Sequence, residues 1–333
     1  MKKTNVFITG SEGFIGSHLT EKLVHKGHNV TALVKYNFDG NIGWLNKLKS
    51  ENKKNLKIVF GDITDYNLIS SLTKNIDIIF NLAALISIPY SFKAPYSYMR
   101  NNVEGVLNIL NVVKTNNIKQ LINTSTSEVY GSAQKIPIKE SHQLNAQSPY
   151  AASKIAADQF VNSFYHSYNL PVTTIRPFNT FGPRQSLRAI IPTIITQAFH
   201  SNKIKLGNVK TLRDFMYVED TVDGFIKAMN NKRSYGHFIN LGTNKNVSIM
   251  TIVKLISKIL NKKIVVIADK TRLRPNNSEV VNLVASNILA KKILKWEPNY
   301  INTNGLELGL IKTIKWYKEN LNHYSDNYKN FNI

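Results

Sequence analysis

The sequence predicts an α/β fold: a doubly wound parallel sheet with a smaller lobe interleaved towards the C-terminus. Three observations predict it. Short β-rich runs alternate with segments of helical period through the first half of the chain. A glycine turn, Gly10-Ser-Glu-Gly13-Phe-Ile-Gly16, follows the first of these runs directly and opens a helix. Beyond Pro177 the alternation loosens into shorter pieces.

In chain order, Asn5–Thr9 reads as the first strand and Ile15–His25 as a helix. Asn29–Val34, Leu56–Phe60 and Ile76–Leu82 supply the next three strands. Asn102–Asn116 is amphipathic, Gln120–Thr124 is a fifth strand, a long helix runs from about Pro149 to Tyr168, and Pro171–Arg176 is a sixth strand. Val218–Met229 and His237–Leu241 read as one more helix and strand of the same sheet, and Met250–Leu260 as a helix of the lobe. This pattern assigns 1–180 with about 213–245 to the sheet domain, and about 181–212 with 246–333 to the lobe. The polar, aromatic tail from about Asn320 is expected to fray.

The 333 residues are 43% apolar, enough for a normal core. Cysteine is absent, which excludes disulfides, zinc thiolates and a cysteine nucleophile and fits a cytoplasmic location. The apolar run before Gly10 is too short for a signal peptide, and no stretch of eighteen apolar residues offers a membrane span. A net charge of +22 raises nucleic-acid binding. The lysines are dispersed, however, and asparagine is abundant too, so a compositional bias and attraction for an anionic substrate explain the charge better. None of the eight histidines falls in a metal-ligand spacing, and no metal is expected.

Chemistry concentrates at two places. In the glycine turn, Gly10, Gly13 and Gly16 let the backbone approach a pyrophosphate, and Phe14 and Ile15 begin the helix whose free N–H groups face it. Asp62, at the end of strand three, is a candidate acceptor for an adenine amino group, or else a helix N-cap. An acid usually ends strand two and binds a ribose hydroxyl. Here that tip reads Leu33-Val34-Lys35-Tyr36-Asn37, so Lys35 is either a contact to a ribose 2′-phosphate or a plain surface lysine. The expected cofactor is therefore NADP or NAD, with NADP favoured. At the second place, Tyr150 and Lys154 stand at i and i+4 on one helix face. A nearby ammonium lowers the phenol pKa towards neutrality and makes Tyr150 a usable base.

The motifs GSEGFIGS, GDI, NLAA, TSTSEVYG, SPYAASK, RPFNTFGPRQ, RDFMYVED and RPNNSEV cover nearly the whole chain. In them the sequence resembles the extended short-chain dehydrogenase/reductase family. The resemblance implies a Rossmann domain, a nucleotide-sugar lobe, and a cofactor site that also takes in Ile63, Leu82, Ala83 and Ala84. It implies that Thr126 holds the sugar oxygen that Tyr150 deprotonates, and that Lys154 holds the cofactor ribose. Epimerases of the family usually carry a small residue at position 128. Glu128 instead resembles 4,6-dehydratases or UDP-glucuronate decarboxylases, and a carboxylate there can take the C5 proton once C4 is a ketone. Ser127 departs from the dTDP-glucose dehydratases, which place an aspartate acid at that position, and agrees with the GDP-mannose dehydratases. Segments 32–46, 88–91, 176–186, 190–197 and 272–280 are similar to legionaminic-acid-type N-acetylglucosamine 4,6-dehydratases, which implies a UDP- or GDP-linked N-acetylglucosamine substrate. For that substrate the resemblance points to Arg184, Arg213 and Arg274 at the phosphates, and to Ser87, Asn179 and Ile191 around sugar and base; Glu279 would instead hold an arginine. An epimerase, a decarboxylase and a non-catalytic nucleotide-binding relative are the alternatives. Ile155, Phe160, Phe164 and Tyr165 on the Tyr150 helix predict a homodimer built on that helix.

Overall fold

The computed structural model describes residues 3–48, 54–273 and 275–324. Arg274 and most of the tail beyond Asn320 therefore lie outside the described residues. The first half runs β1 (Asn5–Thr9), α1 (Phe14–His25), β2 (Asn29–Lys35), β3 (Leu56–Gly61), α2 (Tyr66–Leu72), β4 (Ile78–Asn81), two short helices α3 (Ile88–Lys93) and α4 (Pro95–Tyr98), α5 (Gly105–Thr115) and β5 (Gln120–Thr124). Next come α6 (Pro149–Tyr168), β6 (Val172–Pro177), β7 (Asn179–Phe181), α7 (Ile190–His200), β8 (Lys203–Leu206), β9 (Leu212–Arg213), β10 (Phe215–Tyr217) and α8 (Val218–Ala228). The remainder is β11 (Phe238–Leu241), β12 (Val247–Ser248), α9 (Ile249–Leu260), β13 (Val265–Ala268), β14 (Asn282–Leu283), α10 (Ile288–Leu294) and α11 (Asn302–Glu319).

Seven strands form one parallel sheet in the order β11-β6-β5-β4-β1-β2-β3. The order in which strands are added reverses between β1 and β4, so the crevice at their carboxyl ends is the place where such sheets bind ligands. The strands are apolar on both faces because both faces are covered. Val6, Ile8, Ile78, Phe80 and Ile122 enter one core with α1 and α8, whereas Phe7, Ile79 and Leu121 enter another with α2, α5 and α6. The expected fold class is the one observed, and β11 does join β6 in register Phe238↔Thr174 to Leu241↔Pro177. Three small sheets, β10-β7, β12-β9-β14 and β13-β8, complete the strand inventory of the described residues.

Two expectations are corrected. Regular α-helix begins at Gly105 and not at Asn102, because Met99–Glu104 forms a π-helical turn. There Asn102 turns inward: its amide donates to Leu85 O at 3.0 Å and Ser153 Oγ at 3.0 Å, and its Oδ1 accepts from Leu85 N at 2.9 Å. Such π-turns are frequent at functional sites. Helix α11 has no counterpart in the sequence reading. Its buried stripe of Leu306, Leu310, Ile314 and Tyr317 is completed by Gly309 and Thr313, and is too narrow for hydropathy alone to announce.

Candidate active site

A cleft of about 1050 Å³ opens at the carboxyl edge of the sheet and contains the glycine turn, the β5 terminus, the start of α6 and the lobe. A buried polar chain fixes its floor. Thr9 Oγ1 donates to Asn81 Oδ1 at 2.7 Å, and Asn81 Nδ2 donates to Asn123 Oδ1 at 3.0 Å, joining the ends of β1, β4 and β5. Thr9 Oγ1 also accepts from the N–H groups of Leu82 and Ala83 at 3.1 and 3.0 Å. This holds the 82–84 segment against the turn so closely that a Cβ on Gly10, whose φ is +65°, would lie 2.8 Å from Ala83 N. Helix α1 starts at Gly13 with no side-chain cap. Its first N–H groups therefore face the cleft as an anion site.

Gly10, Gly13, Phe14, Ile15, Gly16, Lys35, Asp62, Ile63, Leu82, Ala83 and Ala84 all line this cleft. Asp62 is not the cap of α2; Asp65 is, accepting from Leu68 N at 3.0 Å. Asp62 Oδ1 accepts instead from Thr64 N and Thr64 Oγ1 at 2.9 and 2.8 Å. Partial burial opposes its charge, but these bonds and the nearby Lys35 and Arg100 hold its carboxyl below the ordinary value.

On the opposite wall, Ser148 caps α6 by accepting from Ala151 N at 3.1 Å, and Pro149 fills the first helical position. This start sets Tyr150 and, one turn on, Lys154 towards the 3₁₀ turn Ser127–Tyr130, which Thr126 caps by accepting from Glu128 N at 3.2 Å. Thr126, Ser127, Glu128, Tyr150 and Lys154 share this wall. Lys154 Nζ donates to Thr124 O at 2.6 Å. Burial lowers the Lys154 ammonium to about 8, with Asp158 opposing that fall. The expectation of a phenol brought towards neutrality needs correction. Burial pushes Tyr150 up, a hydrogen bond to Thr126 offsets only part, and Glu128, Tyr98 and Asp158 push it further. Spacing alone cannot show this, because i to i+4 geometry says nothing about desolvation.

Behind the wall, Asp158 Oδ2 accepts from Arg176 Nη2 and Ser125 Oγ, both at 2.8 Å. Arg176 Nη1 donates to Tyr130 Oη at 3.0 Å, and Tyr130 donates to Asn240 Oδ1 at 2.8 Å. Arg176 thus ties the helix of Lys154 to the turn of Glu128. Sequence reading did not find this buried set, nor Glu12, Trp44 and the cleft cations Arg188 and Arg272. Arg272 lay inside a recognised segment, 272–280, but nothing local distinguishes a cleft arginine from a surface one.

The expected substrate residues divide. Ser87, Asn179, Arg184, Ile191 and Arg213 line the cleft. Asn179 Oδ1 is buried without a hydrogen-bond partner among the described residues. Arg184 is committed elsewhere: its Nη2 pairs with Glu21 at 2.7 Å and its Nη1 reaches Ser17 at 3.4 Å, joining the loop after β7 to α1. Glu279 does hold an arginine, lying 3.6 Å from Arg213 Nη2.

Residues 7–308 match the family model described as GDP-mannose 4,6 dehydratase. The chain is 31% identical over 98% of its length to a trifunctional UDP-glucose 4,6-dehydratase/3,5-epimerase/reductase of Arabidopsis thaliana, and it spans about half (49%) of that relative. Among solved structures, it resembles a dTDP-glucose 4,6-dehydratase from Bacillus anthracis in complex with NAD, with 27% identity, TM-score 0.82, and 95% and 97% of the two chains covered. It also resembles a UDP-N-acetylglucosamine 4-epimerase from Methanobrevibacter ruminantium in complex with UDP-N-acetylmuramic acid, with 32% identity, TM-score 0.84, and 96% and 100% covered.

Proposed function

Since the chain belongs to the GDP-mannose 4,6 dehydratase family, we propose that it is a nucleotide-sugar 4,6-dehydratase. It converts a UDP- or GDP-linked N-acetylglucosamine to the 4-keto-6-deoxy sugar with C5 configuration retained. The observation that carries this reading is Glu128, a carboxylate in the same cleft wall as Thr126, Tyr150 and Lys154. The segments similar to legionaminic-acid-type dehydratases support the choice of sugar. In the division of labour we propose, residues 1–180 with about 213–245 hold the cofactor, and about 181–212 with 246–333 hold the nucleotide sugar.

The orphaned carboxylate oxygen of Glu12 and the close approach at Gly10 fit a dinucleotide against the turn. When bound, a nicotinamide dinucleotide supplies the acceptor and later donor of the C4 hydride. The chain does the rest. Gly10, Gly13 and the start of α1 seat the pyrophosphate; Leu82, Ala83 and Ala84 wall the site. Thr126 holds O4, the phenolate form of Tyr150 takes its proton and becomes the phenol, and Lys154 supports that phenolate before the transfer. Glu128 takes the C5 proton, acidified by the new ketone, and water leaves from C6. Ser127 is a weak acid, so Glu128 also delivers that proton to the departing hydroxyl, and a proton drawn from solvent returns to C5 on the same face to complete the product. Arg188, Arg213 and Arg272 supply cations for the diphosphate.

Incubating the protein with C4-deuterated UDP-N-acetylglucosamine should give a 4-keto-6-deoxy product with the label at C6. An epimerase is the second reading, favoured by the likeness to the Methanobrevibacter ruminantium enzyme. Label that returns to C4 would establish it in place of the dehydratase.

The working unit we propose is a homodimer. Of the four apolar residues expected on more than one side of α6, Phe164 and Tyr165 pack on the sheet core and Ile155 on a second cluster. Phe160 alone of the four is exposed, at 39%, and Met99 at 48% and Tyr96 at 81% are exposed on the segment before α5. An isologous four-helix contact of α5 and α6 would cover this surface. Light scattering at micromolar concentration should return twice the chain mass; a monomer would count against the contact.

A further inference from the structure

The tip of β2 carries no acid in sequence, yet in the fold it has one. Glu12 lies 23 residues before Lys35, and its Oε1 accepts from Lys35 N at 3.0 Å. Its other oxygen, Oε2, is shielded from solvent and has no hydrogen-bond partner among the described residues. Both residues line the cleft beside Gly10 and Gly13. Glu12 is also fixed from behind: Trp44 N donates to Glu12 O at 3.1 Å. That approach needs Gly43, whose φ is +56° and whose Cβ would lie 2.7 Å from the same carbonyl. The loop after β2 therefore clamps the backbone of Glu12, and the end of β2 clamps its side chain.

A carboxylate at this tip is the feature that, in dinucleotide-binding sheets, accepts the hydroxyl of the adenosine ribose. A shielded carboxylate oxygen with no donor is costly, and a ribose hydroxyl is the donor it lacks. A 2′-phosphate at the same point would set two like charges together. We infer that Glu12 selects NAD over NADP by accepting the 2′-hydroxyl at the tip of β2. This reverses the preference read from Lys35. It rests on the dinucleotide half of the proposed function and not on the sugar chemistry.

The test is calorimetric titration of the cofactor-depleted full-length protein with NAD⁺ and NADP⁺, alongside mass analysis of the cofactor released when the purified protein is denatured. The wild-type chain should release NAD and bind it at least about tenfold more tightly than NADP, as expected for a hydrogen bond to a charged group. Glu12→Gln, nearly isosteric, should erase most of that ratio, and Glu12→Arg should invert it. If the arginine variant does not fold, the glutamine variant decides. Equal or tighter NADP binding by the wild type would overturn the inference. So would a ratio that survives Glu12→Gln and collapses in Lys35→Ala. Binding of neither cofactor would overturn both this inference and the dinucleotide reading. NAD selectivity without any 4-keto product would support Glu12 while removing the proposed sugar reaction.

Discussion

Tyr150→Phe should lower turnover by roughly 100- to 10,000-fold, the usual contribution of a positioned general acid–base group. The variant keeps its ring, which lies edge-on to Tyr98 with centroids 6.2 Å apart, and the α6 cap at Ser148 does not involve the phenol. Thermal melting should therefore move little while the first oxidation fails. The raised pKa of the buried phenol has a consequence for this result. Burial opposes ionisation of Tyr150, so the phenolate that would take the O4 proton has to be supported by the Lys154 ammonium one helical turn on. Stopped-flow absorbance should accordingly show no reduced-nicotinamide band in this variant. A variant that still oxidises C4 at the wild-type rate would remove Tyr150 from the reaction.

Glu128→Gln should lose overall turnover by a similar factor for a different reason. The backbone N–H of Glu128, and not its carboxylate, is what Thr126 holds in the 3₁₀ turn, so the substitution leaves the turn standing. Oxidation at C4 should proceed and stop there. The reduced-nicotinamide band should build up, and the quenched sugar should be a ketone that still carries its C6 hydroxyl. Opposite absorbance in the two variants is what separates the two proposed roles. Loss of activity in Glu128→Gln with no such band would leave the fold intact and withdraw the assignment of Glu128.

What the sequence made legible was local. The sheet strands are short β-branched runs buried on both faces, and the turn Gly10 to Gly16 is forced by backbone approach within seven residues. Tyr150 and Lys154 meet because a helix places i and i+4 together. What escaped depends on contacts that spacing does not encode. Glu12 meets Lys35 only because a strand, a helix and a turn bring them together. Arg184 looked like a phosphate ligand until the fold brought Glu21, 163 residues away, to its guanidinium. Asp158 and Arg176 sit on neighbouring elements and read separately as ordinary charges. The direction of the Tyr150 shift escaped for the same reason, since burial is a property of the assembled wall.

The chain from Thr9 through Asn81 to Asn123 also constrains how this sequence can drift. Each member is held by the next, all three are buried, and Asn123 Nδ2 has no partner among the described residues. Replacing any one by an apolar residue strands its neighbour's polar atom in the interior, a loss of about 1–3 kcal/mol. Restoring the balance requires a second change, 42 or 72 residues away, in a different strand. Single-step routes to a different strand-end chemistry are thus closed. These three positions should vary as a set among descendants of this chain.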